Sequence, residues 1–367
     1  MPRTNASDNF GDRVKSIPVI SRQVTRLYEM FWPVIDLINM GKETRQMSAE
    51  EKKSFKATLS QDRKRLFKLL EKILYEDSNL IERVVHAPRE HTAALTRDLK
   101  KLLSDGQSNG RSEDMGKVGR EMPSWEAMEW DPPLGDKSRR GMFHIQCATL
   151  LAPIQYDWTD PKVRDDFRNG KLVATPLQFP RHLWLANGEN YNPQRPSDGL
   201  LQSEILICAA YCILFSPTSV KAMSASTTQV SGARGSSFKR SRGGIIGIAK
   251  VYNLTKVTTA FIAYIAVVVH HALTTEAIFS EICGGFNYGV YYNQIRTFLE
   301  APRFASRAKV LMDWWNKRLF GSYNTGIHTL EEDEVSTLED LLAEVEADLG
   351  LSGDEGPLIS QDDDDDE

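Results

Sequence analysis

The sequence lacks a long apolar segment. Its longest one, Val257 to Val269, has 13 residues, fewer than the roughly 20 that a membrane-spanning helix needs. Residues 1–16 are polar and lack the apolar centre of a secretory signal. We therefore expect an intracellular protein without a membrane span, and the sequence does not distinguish the nucleus from the cytoplasm.

Cysteine is scarce as well. The four thiols of this 367-residue chain are Cys147, Cys208, Cys212 and Cys283, too few for the disulfide framework of a secreted protein. Cys208 and Cys212 would share one face of an apolar helix, but no further ligands lie near them at zinc-binding spacing. We expect these two residues to be small buried thiols.

The common catalytic and cofactor-binding motifs are missing. No segment has the glycine pattern of a phosphate loop or of a dinucleotide site, although glycines cluster over 232–247. A nucleophile elbow and the H-E-x-x-H zinc motif are absent too. The sequence therefore predicts no cofactor and favours a protein that is not an enzyme.

Metal-dependent chemistry is the competing interpretation. Asp157, Asp160, Asp165, Asp166 and Glu204 could bind metal ions in an enzyme that acts on nucleic acid, such as one derived from a mobile element. Turn formation, helix capping and exposure on a helix face explain the same residues more simply. The enzyme interpretation requires that Asp157, Asp160 and Glu204 converge in one cleft.

Charge is divided unevenly along the chain. No acidic residue occurs between Glu204 and Glu276, where the chain has seven basic ones. No basic residue occurs over 331–367, where the chain has 17 acidic ones. This division suggests either contact with a polyanion or attraction between segments of opposite charge within the chain.

A flexible loop predicted over 216–247 concentrates the positive charge. Its cations could neutralise phosphates and its aromatic ring could stack on a base, which together suit nucleic-acid binding. The candidate residues are Arg234, Phe238, Lys239, Arg240 and Arg242. A solvated surface loop and a nuclear-import signal are the alternatives.

The acidic C-terminal part is expected to form an amphipathic helix over 329–350 and a disordered tail over 351–367. The helix would carry an apolar stripe that docks on the body or on a partner, made of Val335, Leu338, Leu342, Val345 and Leu349. Three interpretations remain open for this part. It is a solubilising appendage, an internal mimic of nucleic acid that covers the basic loop, or a site for a basic partner protein.

The spacing of apolar residues predicts a mainly α protein. We expect a disordered arm over 1–16, a helical N-terminal segment over 17–104, a linker over 105–124 and a main helical domain over 125–328. Within these parts the pattern predicts helices over 88–103, 199–215, 258–275, 288–300 and 303–320. At most a small β element is expected, near 172–185.

Single residues predict where some helices begin and end. Pro33 lies inside a helical pattern and should kink or break it. Ser48 and Glu51 form a capping box ahead of the next helix. His270 and His271 follow the most apolar pattern, and we expect them to satisfy the carbonyl groups at its C-terminal end.

Four motifs occur in order in the main domain. They are Asp157-Trp158-Thr159-Asp160-Pro161 with Val163-Arg164, Tyr191-Asn192-Pro193, Gly199-Leu200-Leu201 with Ser203-Glu204, and Trp314-Trp315-Asn316. Over about 140–323 they resemble an uncharacterised domain-of-unknown-function family expanded in mushroom-forming (basidiomycete) fungi. The resemblance implies a lineage-restricted family linked to mobile elements, and it brings no established activity, ligand or catalytic residue.

The charge division and the missing catalytic motifs together predict a non-enzymatic interaction protein. We expect it to be associated with a polyanion or with chromatin and to have an autoinhibitory acidic tail. The expected partner is nucleic acid or a basic protein, and no small-molecule cofactor is expected. A metal-dependent enzyme acting on nucleic acid and a plain protein scaffold are the alternatives.

Overall fold

A computed structural model of the chain describes residues 16–221 and 247–324. The chain divides into two compact units, residues 1–319 and residues 320–367. Of the second unit the description covers 320–324, which are helical. The predicted acidic helix and tail lie outside the described residues, as does most of the basic loop. The same holds for the predicted N-terminal arm except its last residue, Ser16, which is helical.

Helices form most of the described structure, which confirms the mainly α fold class. In chain order they are α1 (Ser16–Leu27), α2 (Val34–Thr44), α3 (Ala49–Thr58), α4 (Gln61–Glu76), α5 (Leu80–Val85), α6 (Arg89–Glu121), α7 (Ile145–Leu151), α8 (Pro161–Arg168), α9 (Glu204–Leu214), α10 (Ile248–Val251), α11 (Thr259–Leu273), α12 (Tyr288–Glu300) and α13 (Ala305–Asn324). Residues 217–221 are also helical. Short 3₁₀ turns connect several of these helices.

Local sequence signals explain how the first helices begin and end. The predicted break at Pro33 is confirmed, because α1 ends at Leu27 and α2 begins directly after the proline. The capping box is confirmed as well: the Ser48 hydroxyl accepts from the backbone N–H of Glu51 at 3.2 Å, and the Glu51 carboxylate accepts from that of Ser48 at 2.7 Å. These helices then pack their apolar faces into one core together with α6.

The linker predicted over 105–124 is wrong, because α6 continues through this segment to Glu121. Its glycines allow α1 to approach closely. A Cβ atom at Gly106 would lie 2.5 Å from the carbonyl oxygen of Pro18, and one at Gly110 would lie 2.9 Å from Cγ of Arg22. The composition misleads because glycine is common both in flexible linkers and where two backbones come close together.

Helix α11 lies at the centre of the fold. Every residue from Ala260 to Leu273 is buried, as expected for a helix that is apolar all round. It packs against α1, α6, α7, α9 and α12. None of the described helices combines the length and the apolar character needed to span a bilayer.

Two cations from the segment between α6 and α7 satisfy the C-terminal end of α11. The Nζ atom of Lys137 donates to the carbonyl oxygen of His271 at 2.9 Å, and Arg140 donates to that of the next residue at 2.8 Å. The prediction that His270 and His271 satisfy these carbonyls is therefore wrong. The His270 ring instead bonds to the Tyr288 hydroxyl at 3.1 Å, and burial holds the pKa of His270 well below its ordinary value.

The described residues contain one small antiparallel sheet, as the fold prediction allowed. Its strands, β1 (Ile282–Cys283) and β2 (Phe286–Asn287), pair Ile282 with Asn287 and Cys283 with Phe286. The two-residue turn has positive φ angles of 57° at Gly284 and 81° at Gly285, which suits a tight hairpin.

The position predicted for a β element, near 172–185, is wrong. This segment instead contains a 3₁₀ turn over Arg181–Leu183 and two isolated bridges, Pro153 to Pro180 and Trp184 to Leu200. Proline has no N–H to continue a ladder of hydrogen bonds. The helix predicted over 199–215 begins later, at Glu204.

The crossing of α1 over α6 generates a prediction about two glycines of the same helix. We expect Gly106→Ala to lower the free energy of unfolding by about 1–3 kcal/mol, because the added methyl group clashes with Pro18. We expect Gly119→Ala to raise it by up to about 1 kcal/mol, because no atom lies within 4 Å of the added Cβ and alanine favours the helix. Urea unfolding followed by circular dichroism measures both changes. Equal effects of the two substitutions would contradict the close crossing.

Candidate functional site

The candidate residues of the basic loop and of the apolar stripe lie outside the described residues. They are Arg234, Phe238, Lys239, Arg240, Arg242, Val335, Leu338, Leu342, Val345 and Leu349. The roles predicted for them therefore stay predictions.

The carboxylates of the enzyme interpretation have other partners. The Asp157 carboxylate accepts from the backbone N–H and the hydroxyl of Thr159 at 2.9 and 2.6 Å, and these bonds hold the pKa of Asp157 below its ordinary value. Asp160 accepts from the backbone N–H of Lys162 at 2.8 Å and caps α8. Both side chains therefore organise a turn and the helix that follows it.

Glu204 is also engaged, because Arg318 binds both of its carboxylate oxygens at 2.6 and 2.7 Å. Within 16–221 and 247–324, no group of three or more His, Cys, Asp or Glu side chains could hold a metal ion. The convergence that the enzyme interpretation requires is therefore not found in the described structure.

The prediction of buried thiols at Cys208 and Cys212 is confirmed, since both are fully buried in α9. Burial raises the pKa of each thiol to about 12. Because the thiolate is the reactive form, neither cysteine is suited to nucleophilic chemistry near neutral pH.

A positively charged groove lies between α4 and the N-terminal end of α11. Helix α4 turns Leu66, Leu70 and Ile73 into the core. Its lysine stripe, which we define as Lys64, Lys68 and Lys72, lines the groove. The stripe repeats every four residues, which places successive lysines about 6 Å apart along the helix axis.

The groove has a volume of about 650 Å³. Residues 258–260 of the α11 end and Arg296 with Glu300 of α12 form its other wall. Five cations line it, the lysine stripe together with Arg65 and Arg296, against two carboxylates, Glu71 and Glu300.

Both carboxylates of the groove are already paired. Glu300 accepts from Arg65 at 2.9 Å, from Arg296 at 2.6 Å and from the Thr259 hydroxyl at 2.8 Å. Burial acts to raise the pKa of Glu300, but Arg296, Thr259 and Arg65 together hold it below its ordinary value. Glu71 accepts from Lys56 on α3 at 3.1 Å.

The lysine stripe has no such partners. None of its ammonium groups forms an ion pair with another residue of the described structure. Lys72 lies over the ring of Tyr28, 5.4 Å from its centroid, and this contact leaves its charge uncompensated. The three lysines are therefore available to bind an anion.

A second cavity, of about 500 Å³, lies on the other side of Arg65 and has the opposite charge pattern. Four carboxylates line it, those of Glu29, Asp36, Glu43 and Asp62, against two cations, Arg63 and Arg65. Arg65 therefore separates a cationic groove from an acidic one.

No residue of α4 is among the candidate site residues predicted from the sequence, so this groove was not predicted. The available signal was the spacing of Lys64, Lys68 and Lys72 on one side of the apolar stripe. The opposite wall comes from residues about 190 positions later in the chain, and no local pattern indicates that pairing.

A protein-family model described as Family of unknown function (DUF6698) matches residues 105–320. No curated protein and no solved structure matches the chain. The matched segment begins within α6 and ends within α13, so it includes the α11–α12 wall of the groove but not α4.

The pairing of Glu300 in the groove predicts how the stability of the protein depends on pH. We expect Glu300→Gln to lower the free energy of unfolding by about 1–3 kcal/mol at pH 7, because Arg65 and Arg296 lose charged hydrogen bonds. The pKa of Glu300 is lower in the folded protein than its ordinary 4.5. Its contribution is therefore present above pH 4.5 and is lost as the pH falls through the folded value.

Urea unfolding across this pH range measures the effect, and the difference between the wild type and Glu300→Gln should shrink in acid. Glu71→Gln is the control, since its exposed ion pair with Lys56 should contribute less than about 1 kcal/mol. A difference between the wild type and Glu300→Gln that grows as the pH falls would contradict the paired state of Glu300.

Proposed function

The chain belongs to the DUF6698 family of unknown function, and we propose that it is a non-enzymatic interaction protein that binds a polyanion, such as nucleic acid, in the groove beside α4. The observation that carries the proposal is the lysine stripe: Lys64, Lys68 and Lys72 line one groove and have no carboxylate partner among the described residues. Cations of this kind bind phosphates because they displace condensed counterions.

The other groups of the groove support this function. The carboxylates of Glu71 and Glu300 are engaged with cations of the protein, so they oppose an incoming anion less than free carboxylates would. The groove is also open along α4, where the exposed Lys68 and Lys72 side chains can follow an extended ligand. An extended polyanion fits this arrangement better than a compact ligand does.

The basic loop extends the proposal on the evidence of the sequence. Arg234, Lys239, Arg240 and Arg242 lie in a stretch without acidic residues, and Phe238 offers a ring for stacking. We include this loop as a second contact with the polyanion. We also propose that the protein associates with chromatin. The motifs of the main domain further suggest that the family is expanded in fungi.

The acidic C-terminal part has the charge of a polyanion itself, with 17 acidic and no basic residues over 331–367. We propose that it competes with the external polyanion and so acts as an inhibitor. Competition of this kind depends on charge and becomes weaker as salt screens it.

The lysine stripe should determine how nucleic-acid binding depends on salt. In the full chain, we expect the triple variant Lys64→Ala, Lys68→Ala and Lys72→Ala to bind a fluorescent oligonucleotide more weakly. The slope of log affinity against log salt should fall in magnitude by about 2, since each phosphate contact on a single strand contributes roughly 0.7. Fluorescence anisotropy between about 50 and 200 mM salt measures the slope.

A matched control removes the same charge elsewhere on the surface, from exposed lysines for which the described structure has no ion pair. It combines Lys162→Ala, Lys309→Ala and Lys317→Ala. If the control lowers the slope as much as the stripe variant, the groove is not the site. If the wild type binds no polyanion at low salt, the proposed function is wrong.

The acidic tail should weaken binding to nucleic acid. In the full chain, we expect substitution of all five residues of Asp362–Asp366 by Asn to strengthen binding at about 50 mM salt and to have little effect at about 200 mM, because salt screens the competition. The same anisotropy titration measures both conditions.

The control for the tail variant changes the net charge equally at exposed carboxylates of the body. It combines Asp105→Asn, Glu126→Gln, Glu129→Gln, Glu189→Gln and Asp313→Asn. An equal gain in affinity from this control would assign the effect to net charge and would contradict competition by the tail.

A further inference from the structure

An aromatic side chain stands beside the lysine stripe with its ring in solvent. Tyr75 lines the same groove, and its side chain is 85% exposed, the largest value among the exposed large hydrophobic residues of the described structure. It follows Lys68 by seven residues and Lys72 by three, so it extends the stripe along the same side of α4.

The fold does not use this ring. No ring contact, hydrogen bond or cation–π contact engages Tyr75 within the described residues. Its neighbour Leu74, in contrast, packs against the core of the N-terminal helices. The exposed ring therefore contributes little to folding and is available to a ligand.

We propose that the groove binds single-stranded nucleic acid, with the lysine stripe on successive phosphates and a base stacked on the Tyr75 ring. This inference rests on the proposed function and names its partner. Proteins that bind single strands combine a positive groove with aromatic rings on which bases stack. The groove of α4 has both components, and the cations and the ring lie on one helix in a continuous row.

The exposed ring of Tyr75 favours a single strand over a duplex. In a duplex the faces of the bases are stacked on each other and cannot reach Tyr75. In a single strand they can turn outward and stack on a side chain.

The lysine closest to Tyr75 is positioned in advance. Lys72 is held over the ring of Tyr28, which lines the groove as well. Its ammonium group is therefore held against a half-buried ring of the groove. A phosphate bound at Lys72 would place the attached nucleotide next to Tyr75, where its base can stack.

The test uses the full chain and three fluorescent probes: a 12-residue oligothymidine, a 12-base-pair duplex and heparin. We expect Tyr75→Ala to weaken binding of oligothymidine by roughly 5- to 150-fold, the range that loss of one stacked base produces. Tyr75→Phe keeps the ring and should bind within about twofold of the wild type. Heparin has no bases, so its binding should be the same in all three proteins.

A control at another exposed ring separates stacking from a general effect of surface aromatics. Phe143 is 82% exposed and does not line the groove, and Phe143→Ala should leave oligothymidine binding unchanged. Circular dichroism should give the same unfolding midpoint for Tyr75→Ala and the wild type, because the ring that this substitution removes is exposed and makes no contacts.

Three results would overturn this inference and leave the proposed function intact. The first is unchanged oligothymidine binding by Tyr75→Ala while the lysine-stripe variant loses it. The second is an equal loss of heparin binding in Tyr75→Ala, and the third is tighter binding of the duplex than of oligothymidine. If the wild type binds none of the three probes, the proposed function fails first and this inference fails with it.

Discussion

A fully buried carboxylate, that of Asp114 on α6, joins the three helices on which the rest of the fold depends. Arg26 on α1 donates to both of its oxygens at 2.6 and 2.9 Å, and the Tyr264 hydroxyl on α11 donates at 2.8 Å. Removal of one partner of a buried ion pair is costly, about 3–5 kcal/mol, because the other charge stays buried and uncompensated. Since Thr258, which caps α11, also donates to the carbonyl oxygen of Leu27 at the end of α1, this network determines where the α11 wall of the groove lies.

A second network of ion pairs joins the two walls of the groove. It involves the arginines of the groove but not its lysines. Arg65 of α4 binds Glu300 of α12, and Arg296 binds both Glu300 and Glu29. Burial raises the pKa of Glu29, with Arg296 and Arg65 opposing this effect, so this carboxylate depends on its cationic partners. The two arginines are therefore committed to structure, while the lysine stripe above them has no such partner. A ligand anion can bind the lysines without displacing a protein carboxylate, which would otherwise oppose binding.

The sequence predicted the features that depend on local order. Apolar spacing gave most helices, Pro33 gave the break after α1, and the Ser48 capping box gave the start of α3. It failed where one composition serves two structures: Gly106 and Gly110 suggested a linker, but they allow α1 to approach α6. It failed again at the groove, because a lysine-rich helix face becomes a site only when a distant segment supplies the other wall. For Asp157 and Asp160 the simpler roles, a turn and a helix cap, are confirmed because they depend on residues nearby in the chain, whereas no local pattern indicates Arg318 as the partner of Glu204.

The family match covers one wall of the groove and not the other. Residues 105–320 include α11, α12 and Arg296, but the lysine stripe and Tyr75 on α4 precede them. The proposed binding of a polyanion in this groove therefore depends on N-terminal helices that precede the framework of the matched segment. Because Asp114 and Tyr264 lie inside the matched segment while Arg26 lies before it, the same buried ion pair that stabilises the fold also attaches the N-terminal helices to that framework.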